Sequence, residues 1–186
     1  APVSWAMAFC FTVLGCALGA VIVLLQAPEA LWVGIAGLVL GWSYHGPPLR
    51  LAYRGLGELD VVLCYGPLIA LATYALLTHQ FHMDVIWASL PLGLFIAAFL
   101  WVNEFPDYTA DRSVGKNNLV VQLGRQRASR VLPLIYLLGL IVLAAYGAVR
   151  VIQEDGSHRI ARIAASGAFA MLALASILDR GMVLID

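Results

Sequence analysis

Charge is scarce in this sequence. Lys, Arg, Asp and Glu make up 12% of its 186 residues, about half the share found in ordinary globular proteins, and that scarcity excludes a conventional soluble domain. The two signs also cancel, with 11 basic and 11 acidic residues, so no basic excess points to nucleic acid as a partner. Cysteine is sparse and odd in number. Cys10, Cys16 and Cys64 lie in apolar runs, without the spacing of a disulfide framework or a zinc site, and read as packed thiols. The first apolar run has no basic leader and is too long for the core of a signal peptide. Internal repeats and low-complexity tracts are missing as well.

What fills the space is hydrophobic. Apolar residues account for 62% of the chain and the mean hydropathy is +0.88. A helix needs about 20 apolar residues to cross the hydrocarbon of a bilayer, where every backbone group must be satisfied internally. Six segments approach that length, at 3–25, 31–44, 59–77, 85–103, 131–149 and 160–178; the second is short and the last is diluted by Arg162. The expectation is an all-α, polytopic membrane helix bundle forming a single membrane domain over 1–186. Gly15/Gly19 and Gly37/Gly41 repeat at a spacing that permits close helix contact in lipid. Trp5, Trp42, Trp87 and Trp101 fall near segment ends, as in an interfacial aromatic belt.

Lys and Arg are distributed unevenly between the loops. Those at 45–57 and 105–130 fall on one side by parity and carry Arg50, Arg54, Arg112, Lys116, Arg125, Arg127 and Arg130, while those at 26–30 and 78–84 carry none. The turn near 150–162 carries three. The bias assigns the first pair of loops to the cytoplasmic face of a cell (inner) membrane, and Arg125, Arg127 and Arg130 read mainly as topology determinants.

The stretch 103–125, N-E-F-P-D-Y-T-A-D-R-S-V-G-K-N-N-L-V-V-Q-L-G-R, concentrates the charge that the rest lacks. Asn103, Asp107 and Asp111 recur every four residues, which on a helix aligns them along one face. Magnesium takes one or two protein carboxylates and fills its remaining positions with water and phosphate oxygens. Asp107 and Asp111 therefore read as metal ligands in half of a Mg2+–diphosphate clamp, supported by Asn103. Arg112 and Lys116 would neutralise the remaining diphosphate charge. Pro106 is expected to break or kink the helix near Phe105, leaving free backbone N–H groups that also suit an anion.

A second informative stretch spans 44–67, Y-H-G-P-P-L-R-L-A-Y-R-G-L-G-E-L-D-V-V-L-C-Y-G-P. Gly46, Pro47 and Pro48 should stop one helix, and Gly55 and Gly57 permit a tight turn before the next begins near Glu58. A loop holding Tyr44, Arg50 and Arg54 would close over a diphosphate from the side facing Asp107. His45 reads as interfacial and Glu58 as a favourable charge at a helix start. On the other side, His79, His82 and Asp84 lack regular zinc spacing and read as a wet loop, as do Glu154, Asp155 and His158.

Together these two stretches resemble motifs of the UbiA superfamily of membrane prenyltransferases, in particular the branch that prenylates 1,4-dihydroxy-2-naphthoate. Residues 103–125 resemble its second aspartate-rich motif and 44–67 the loop before its fifth helix. The resemblance implies an enzyme that uses Mg2+ to transfer a prenyl group from a polyprenyl diphosphate to an aromatic acceptor in quinone, chiefly menaquinone, biosynthesis. It further implies that the tyrosine and basic residues of the loop bind the diphosphate. One departure is Ala52, where relatives often carry lysine; Arg50 or Arg54 would replace that charge, or diphosphate binding would be weaker.

A larger departure concerns the first aspartate-rich motif, of the type Asn-Asp-x-x-Asp. Glu29 is the only acidic residue before Tyr44. With Ala1 in place of an initiator methionine, the sequence is expected to be the central and C-terminal part of a roughly nine-helix protein. Its N-terminal helices would lie on the same polypeptide or on another membrane chain. Two other readings stay open: a non-catalytic membrane binding or scaffold subunit with this fold, and a transporter or channel gated by the charged loop.

Overall fold

A computed structural model describes residues 2–153 of the chain. It is all-α, with no strand among the described residues. Helices α1 (Pro2–Leu25), α2 (Leu31–His45), α3 (Gly57–Leu63), α4 (Ile69–Thr78), α5 (Met83–Ser113), α6 (Leu119–Leu123) and α7 (Arg125–Gln153) follow in order. A π-helical turn, Cys64–Leu68, with Pro67 inside it, joins α3 to α4 into one passage.

Four segments are long and apolar enough to cross a membrane: Ala6–Leu25, Gly57–Thr78, Met83–Ser113 and Arg125–Gln153. They match the first, third, fourth and fifth expected spans. The second falls short, because the 15 residues of α2 rise only about 22 Å at 1.5 Å per residue. Helix α2 nevertheless joins the two faces of the bundle. At its start, Glu29 Oε1 meets His79 Nδ1 at 2.8 Å, tying the α1–α2 connection to the α4–α5 connection; its end leads into the loop before α3. The sixth expected span, at 160–178, lies outside the described residues, as do Glu154, Asp155 and His158.

The outward faces remain apolar: Phe9, Leu24, Trp32, Leu77 and Ile152 are among many large hydrophobic side chains left exposed. Lipid is the solvent that makes such a surface stable, and the protein is a multi-pass membrane protein. Cys10 and Cys16 lie on this exposed face of α1, so only Cys64, partly buried, resembles the packed thiol expected of all three.

Helix α5 is the central element, packing against α7, the π turn, α3, α6 and α4. Its buried side includes Ala98, Trp101 and Phe105, which gather with Val120, Ala128 and Leu132 into the main core. Trp101 is 2% exposed and donates from Nε1 to the Ala128 carbonyl at 3.2 Å. It is thus a core fastener between α5 and α7, against the interfacial role expected of it. Proximity to the end of an apolar run does not say which side of the helix a tryptophan occupies.

The closest backbone contact in lipid also differs from expectation. A Cβ added to Gly15, Gly19 or Gly41 would meet nothing within 4 Å among the described residues, and one on Gly37 would meet only the Leu68 side chain, in ordinary contact at 3.4 Å, whereas one added to Gly66 would lie 2.9 Å from the Ser89 carbonyl. At Gly93 it would collide with the Val62 carbonyl. The tight crossing is therefore that of α5 over α3 and the π turn.

At the face holding Glu29 and His79, Asp84 Oδ2 pairs with Arg150 Nη1 at 2.8 Å, joining the start of α5 to the end of α7. His82 caps α5, its Nδ1 accepting from the Asp84 backbone N–H at 3.3 Å. These residues have structural partners that spacing alone did not reveal.

Candidate functional site

Pro106 does not break α5. The helix runs without interruption from Met83 to Ser113 through both Pro91 and Pro106. A proline removes one backbone hydrogen bond, a loss that packed neighbours in a membrane bundle compensate. Here the adjoining turns are held by Trp101 and Phe105 in the core. Arg125 adds a bond from Nη2 to the Phe105 carbonyl at 3.4 Å and lies over the Tyr108 ring at 5.2 Å. The expected helix break, with its free N–H groups for an anion, is absent; Arg125 gains a clasping role in its place.

With 31 residues, α5 extends about 46 Å, well beyond the roughly 30 Å of hydrocarbon. A span begun near Met83 uses its 20 or so residues by Asn103, so the last turns stand at the boundary. Asn103, Asp107 and Asp111 do follow one another along this helix. Each four-residue step turns about 40°, however, and the two steps together about 80°. Asn103 and Asp107 are exposed, while Asp111 is buried.

Asp111 belongs to a second set. Glu104 and Asp111 are seven residues apart, about 20° out of alignment, and both face inward, at 4% and 9% exposure. Asp111 Oδ2 accepts from Lys116 Nζ at 2.9 Å and from Asn118 Nδ2 at 2.9 Å. Asn118, 1% exposed, also caps α6 by accepting the Val121 N–H at Oδ1, 2.8 Å away. Gly115, at φ +74°, supplies the left-handed residue that lets the chain turn sharply between α5 and α6. Lys116 is thereby held on Asp111, not left as the mobile charge expected of it.

Glu58 completes this buried set. Its Oε1 accepts the Leu119 backbone N–H at 2.7 Å, across 61 residues of sequence. Its Oε2 and that of Glu104 are buried with no N–H or hydroxyl donor among the described residues, but the two carboxyl groups lie within hydrogen-bonding reach of each other, and Lys116 and Asp111 act on Glu104 electrostatically. Glu58 therefore does more than complement a helix terminus: it suspends α6 from α3. Neither glutamate was singled out from the sequence as part of a site. The signals were the seven-residue spacing of Glu104 and Asp111 and an acid just inside α3.

The loop between α2 and α3 closes the same end. Helix α2 stops at His45, before Gly46-Pro47-Pro48. Tyr44 packs on the start of α3, where a Cβ on Gly57 would come within 3.1 Å of its ring. Arg50 adopts a left-handed conformation and sits 5.8 Å above the Tyr53 ring. Arg54 donates to the Pro48 carbonyl at 3.1 Å. The Arg112 side chain is exposed and makes no hydrogen bond or ion pair among the described residues.

Between α2, α3, the π turn and α5 lies a cavity of about 730 Å³. Its wall is mainly apolar, with Leu68, Ile96 and Phe99, but Tyr44, Asp60 and Asn103 also line it. Asn103 thus links the exposed carboxylate of Asp107, one turn further on, to an apolar chamber. Arg50, Arg54, Arg112, Lys116 and Asp111 do not line this cavity.

Among the described residues, no three His, Cys, Asp or Glu side chains converge as an all-protein metal cage. A magnesium ion that keeps water and diphosphate oxygens needs no such cage. The exposed Asp107 carboxylate with the Asn103 amide fits that role. Asp111 could join only through Oδ1, since both of its bonds fall on Oδ2.

The sequence is similar to those of several known proteins. A phytyltransferase of Synechocystis, named for 2-carboxy-1,4-naphthoquinone, is 36% identical over 102 residues, covering 55% of this chain and 33% of the relative. The UbiA prenyltransferase domain-containing protein 1 of Dictyostelium discoideum is 34% identical over 111 residues, covering 60% and 34%. The 1,4-dihydroxy-2-naphthoate octaprenyltransferase of Bacillus subtilis is 28% identical over 119 residues, covering 61% and 38%. The chain thus spans about a third of the length of these relatives. No solved structure matches it. The model of the UbiA prenyltransferase family, by contrast, matches residues 2–180, nearly the whole chain and both motif loops, and the chain belongs to that family.

Proposed function

We propose that the chain forms part of a Mg2+-dependent enzyme that transfers a prenyl group from a polyprenyl diphosphate to an aromatic acceptor. In this reading the acceptor is a dihydroxynaphthoate of menaquinone-type quinone biosynthesis, as the names of the relatives suggest. The observation that carries the proposal is the junction at the end of α5. An exposed Asn103–Asp107 pair adjoins an apolar cavity at the membrane boundary, on the face that carries most of the loop arginines. That face would be cytoplasmic, by the excess of Lys and Arg in its loops, and the membrane the cell (inner) membrane.

The assignments follow from accessibility. Asp107, with Asn103, would hold the metal and its diphosphate; Asp111 would orient them from its buried bonds to Lys116 and Asn118. Arg112 is accessible to the diphosphate, and Tyr44, Arg50 and Arg54 would approach it from the opposite loop. When bound, Mg2+ would draw negative charge onto the leaving diphosphate. The apolar walls would exclude water from the cation-like allylic carbon. A second acidic motif would come from outside these 186 residues, on the same polypeptide or on a neighbouring membrane chain.

The test uses the full-length protein in detergent with Mg2+, a polyprenyl diphosphate and 1,4-dihydroxy-2-naphthoate. Prenylated product is expected, together with its loss in Asp107→Asn protein that purifies and melts normally. Unaltered turnover in that variant would overturn the metal assignment. Binding of both substrates without product would favour a non-catalytic subunit.

A further inference from the structure

Asp60 is an acid that the preceding scheme leaves unused. It lies in the first turn of α3 and is 4% exposed. Its carboxylate receives one hydrogen bond among the described residues, from Cys64 Sγ to Oδ1 at 3.8 Å, and a thiol is a weak donor. No cation pairs with it among the described residues. Burying a carboxylate with so little compensation is costly, and its place in the fold suggests what the cost supports.

Asp60 lines the cavity of about 730 Å³ together with Asn103 and Tyr44. Leu68, Ile96, Phe99 and Leu100 supply apolar wall. The volume lies within the range of small-molecule sites, in which a few polar groups orient an otherwise apolar ligand. The π-helical turn opens directly at Cys64, four residues after Asp60, and such turns recur at functional sites. A single carboxylate, with the Tyr44 hydroxyl and the Asn103 amide as the other polar groups of an otherwise apolar wall, suits a flat apolar ligand that carries hydroxyl groups. No other acidic residue lines the cavity to recruit a divalent cation.

Resting on the prenyl-transfer reading, we propose that Asp60 binds the ring hydroxyl of the aromatic acceptor and serves as its proton acceptor. The Asp60 carboxylate takes the hydroxyl proton, and the O–H electron pair becomes the π bond of a ring ketone. The ortho carbon bonds to the allylic carbon, and the C–O bond to diphosphate breaks with its electron pair leaving on diphosphate. Loss of the substituent at that ring carbon follows, as carbon dioxide or as a proton taken by the departed diphosphate. The ring regains aromaticity, and the oxygen recovers its proton from Asp60. Asp60 thereby borrows one proton and returns it.

The test compares Asp60→Asn and Asp60→Leu with wild type in the full-length protein, using 1,4-dihydroxy-2-naphthoate and its 1,4-dimethoxy counterpart. Equilibrium binding is followed by tryptophan fluorescence without prenyl diphosphate, and turnover is measured separately. The Asn variant keeps an oxygen that accepts a hydrogen bond, so its dihydroxynaphthoate affinity is expected within threefold of wild type while kcat falls more than tenfold. The Leu variant is expected to bind that acceptor more than tenfold more weakly and to bind the dimethoxy compound as wild type does. It should melt no lower than wild type, and the KM for prenyl diphosphate should not move in either variant. Wild-type kcat and affinity in both variants would overturn the role of Asp60 while leaving prenyl transfer intact. Loss of stability together with both substrates would also overturn it, as a structural role. A wild-type protein that neither binds the dihydroxynaphthoate nor turns over would overturn the prenyl-transfer reading and this proposal with it.

Discussion

Glu58 accepts the backbone N–H of Leu119 at 2.7 Å, so a side chain of α3 satisfies one of the N–H groups that a helix start leaves open in α6. Five residues, Leu119–Leu123, make up that helix, too few to be stable alone. Glu58→Ala is expected to lower stability by roughly 1–3 kcal/mol, the cost of stranding a buried donor. Hydrogen exchange should quicken across Leu119–Leu123 while α1 keeps its protection. Uniform loss of protection would mean that Glu58 supports the whole bundle and not α6 in particular.

Glu104 calls for the opposite expectation. Its Oε2 is buried with no N–H or hydroxyl donor among the described residues, and the one side chain within hydrogen-bonding reach of its carboxyl is another acid, Glu58. A neutral amide of the same shape removes a desolvated acid and leaves the packing of α5 in place. Glu104→Gln should therefore melt at or above the wild-type temperature. A fall of several degrees in detergent would show that the acid has a stabilising partner.

The crossing of α5 over α3 depends on Gly93, where a Cβ would run into the Val62 carbonyl. Backbone cannot yield as a flexible side chain does, and overpacking of this kind costs about 1–3 kcal/mol or more. Gly93→Ala should lower Tm by several degrees, whereas Gly34→Ala, with nothing within 4 Å among the described residues, should not lower it. Equal effects at the two positions would refute the close crossing.

These three positions also mark how far the sequence could be read. Hydrophobic runs located the long spans, because burial in lipid is a property of composition. They did not reveal which side of a helix meets protein, since α5 is apolar nearly all round. Trp101, Gly66 and Gly93 thus went unrecognised as packing residues. The four-residue spacing of Asn103, Asp107 and Asp111 was legible, but not the division created by helix rotation and by the Lys116–Asn118 turn. Pro106 misled for a related reason: its local cost is readable, whereas the contacts of Trp101, Phe105 and Arg125 that offset it join distant parts of the chain. Glu58 reads in the sequence as an ordinary helix-start acid and Asp60 carries no signal of its own; the fold places the first under α6 and the second on a cavity wall.

That division predicts different phenotypes for the two motif aspartates. The Asp107 side chain is exposed and makes no hydrogen bond or ion pair among the described residues, so, on the prenyl-transfer proposal, Asp107→Asn should leave Tm within a degree or two while reducing kcat a hundredfold or more in the full-length protein. Asp111 receives two bonds on Oδ2, one from the Lys116 ammonium at 2.9 Å, and hydrogen bonds to charged groups contribute about 1.5–3 kcal/mol each. Asp111→Asn should therefore lower both activity and stability, and Lys116→Met should reproduce much of the stability loss. A double-mutant cycle between Asp111 and Lys116 separates their coupling from the individual effects. If Asp111→Asn proved as stable as wild type while Asp107→Asn unfolded, the inward and outward assignments of the two carboxylates would have to be exchanged.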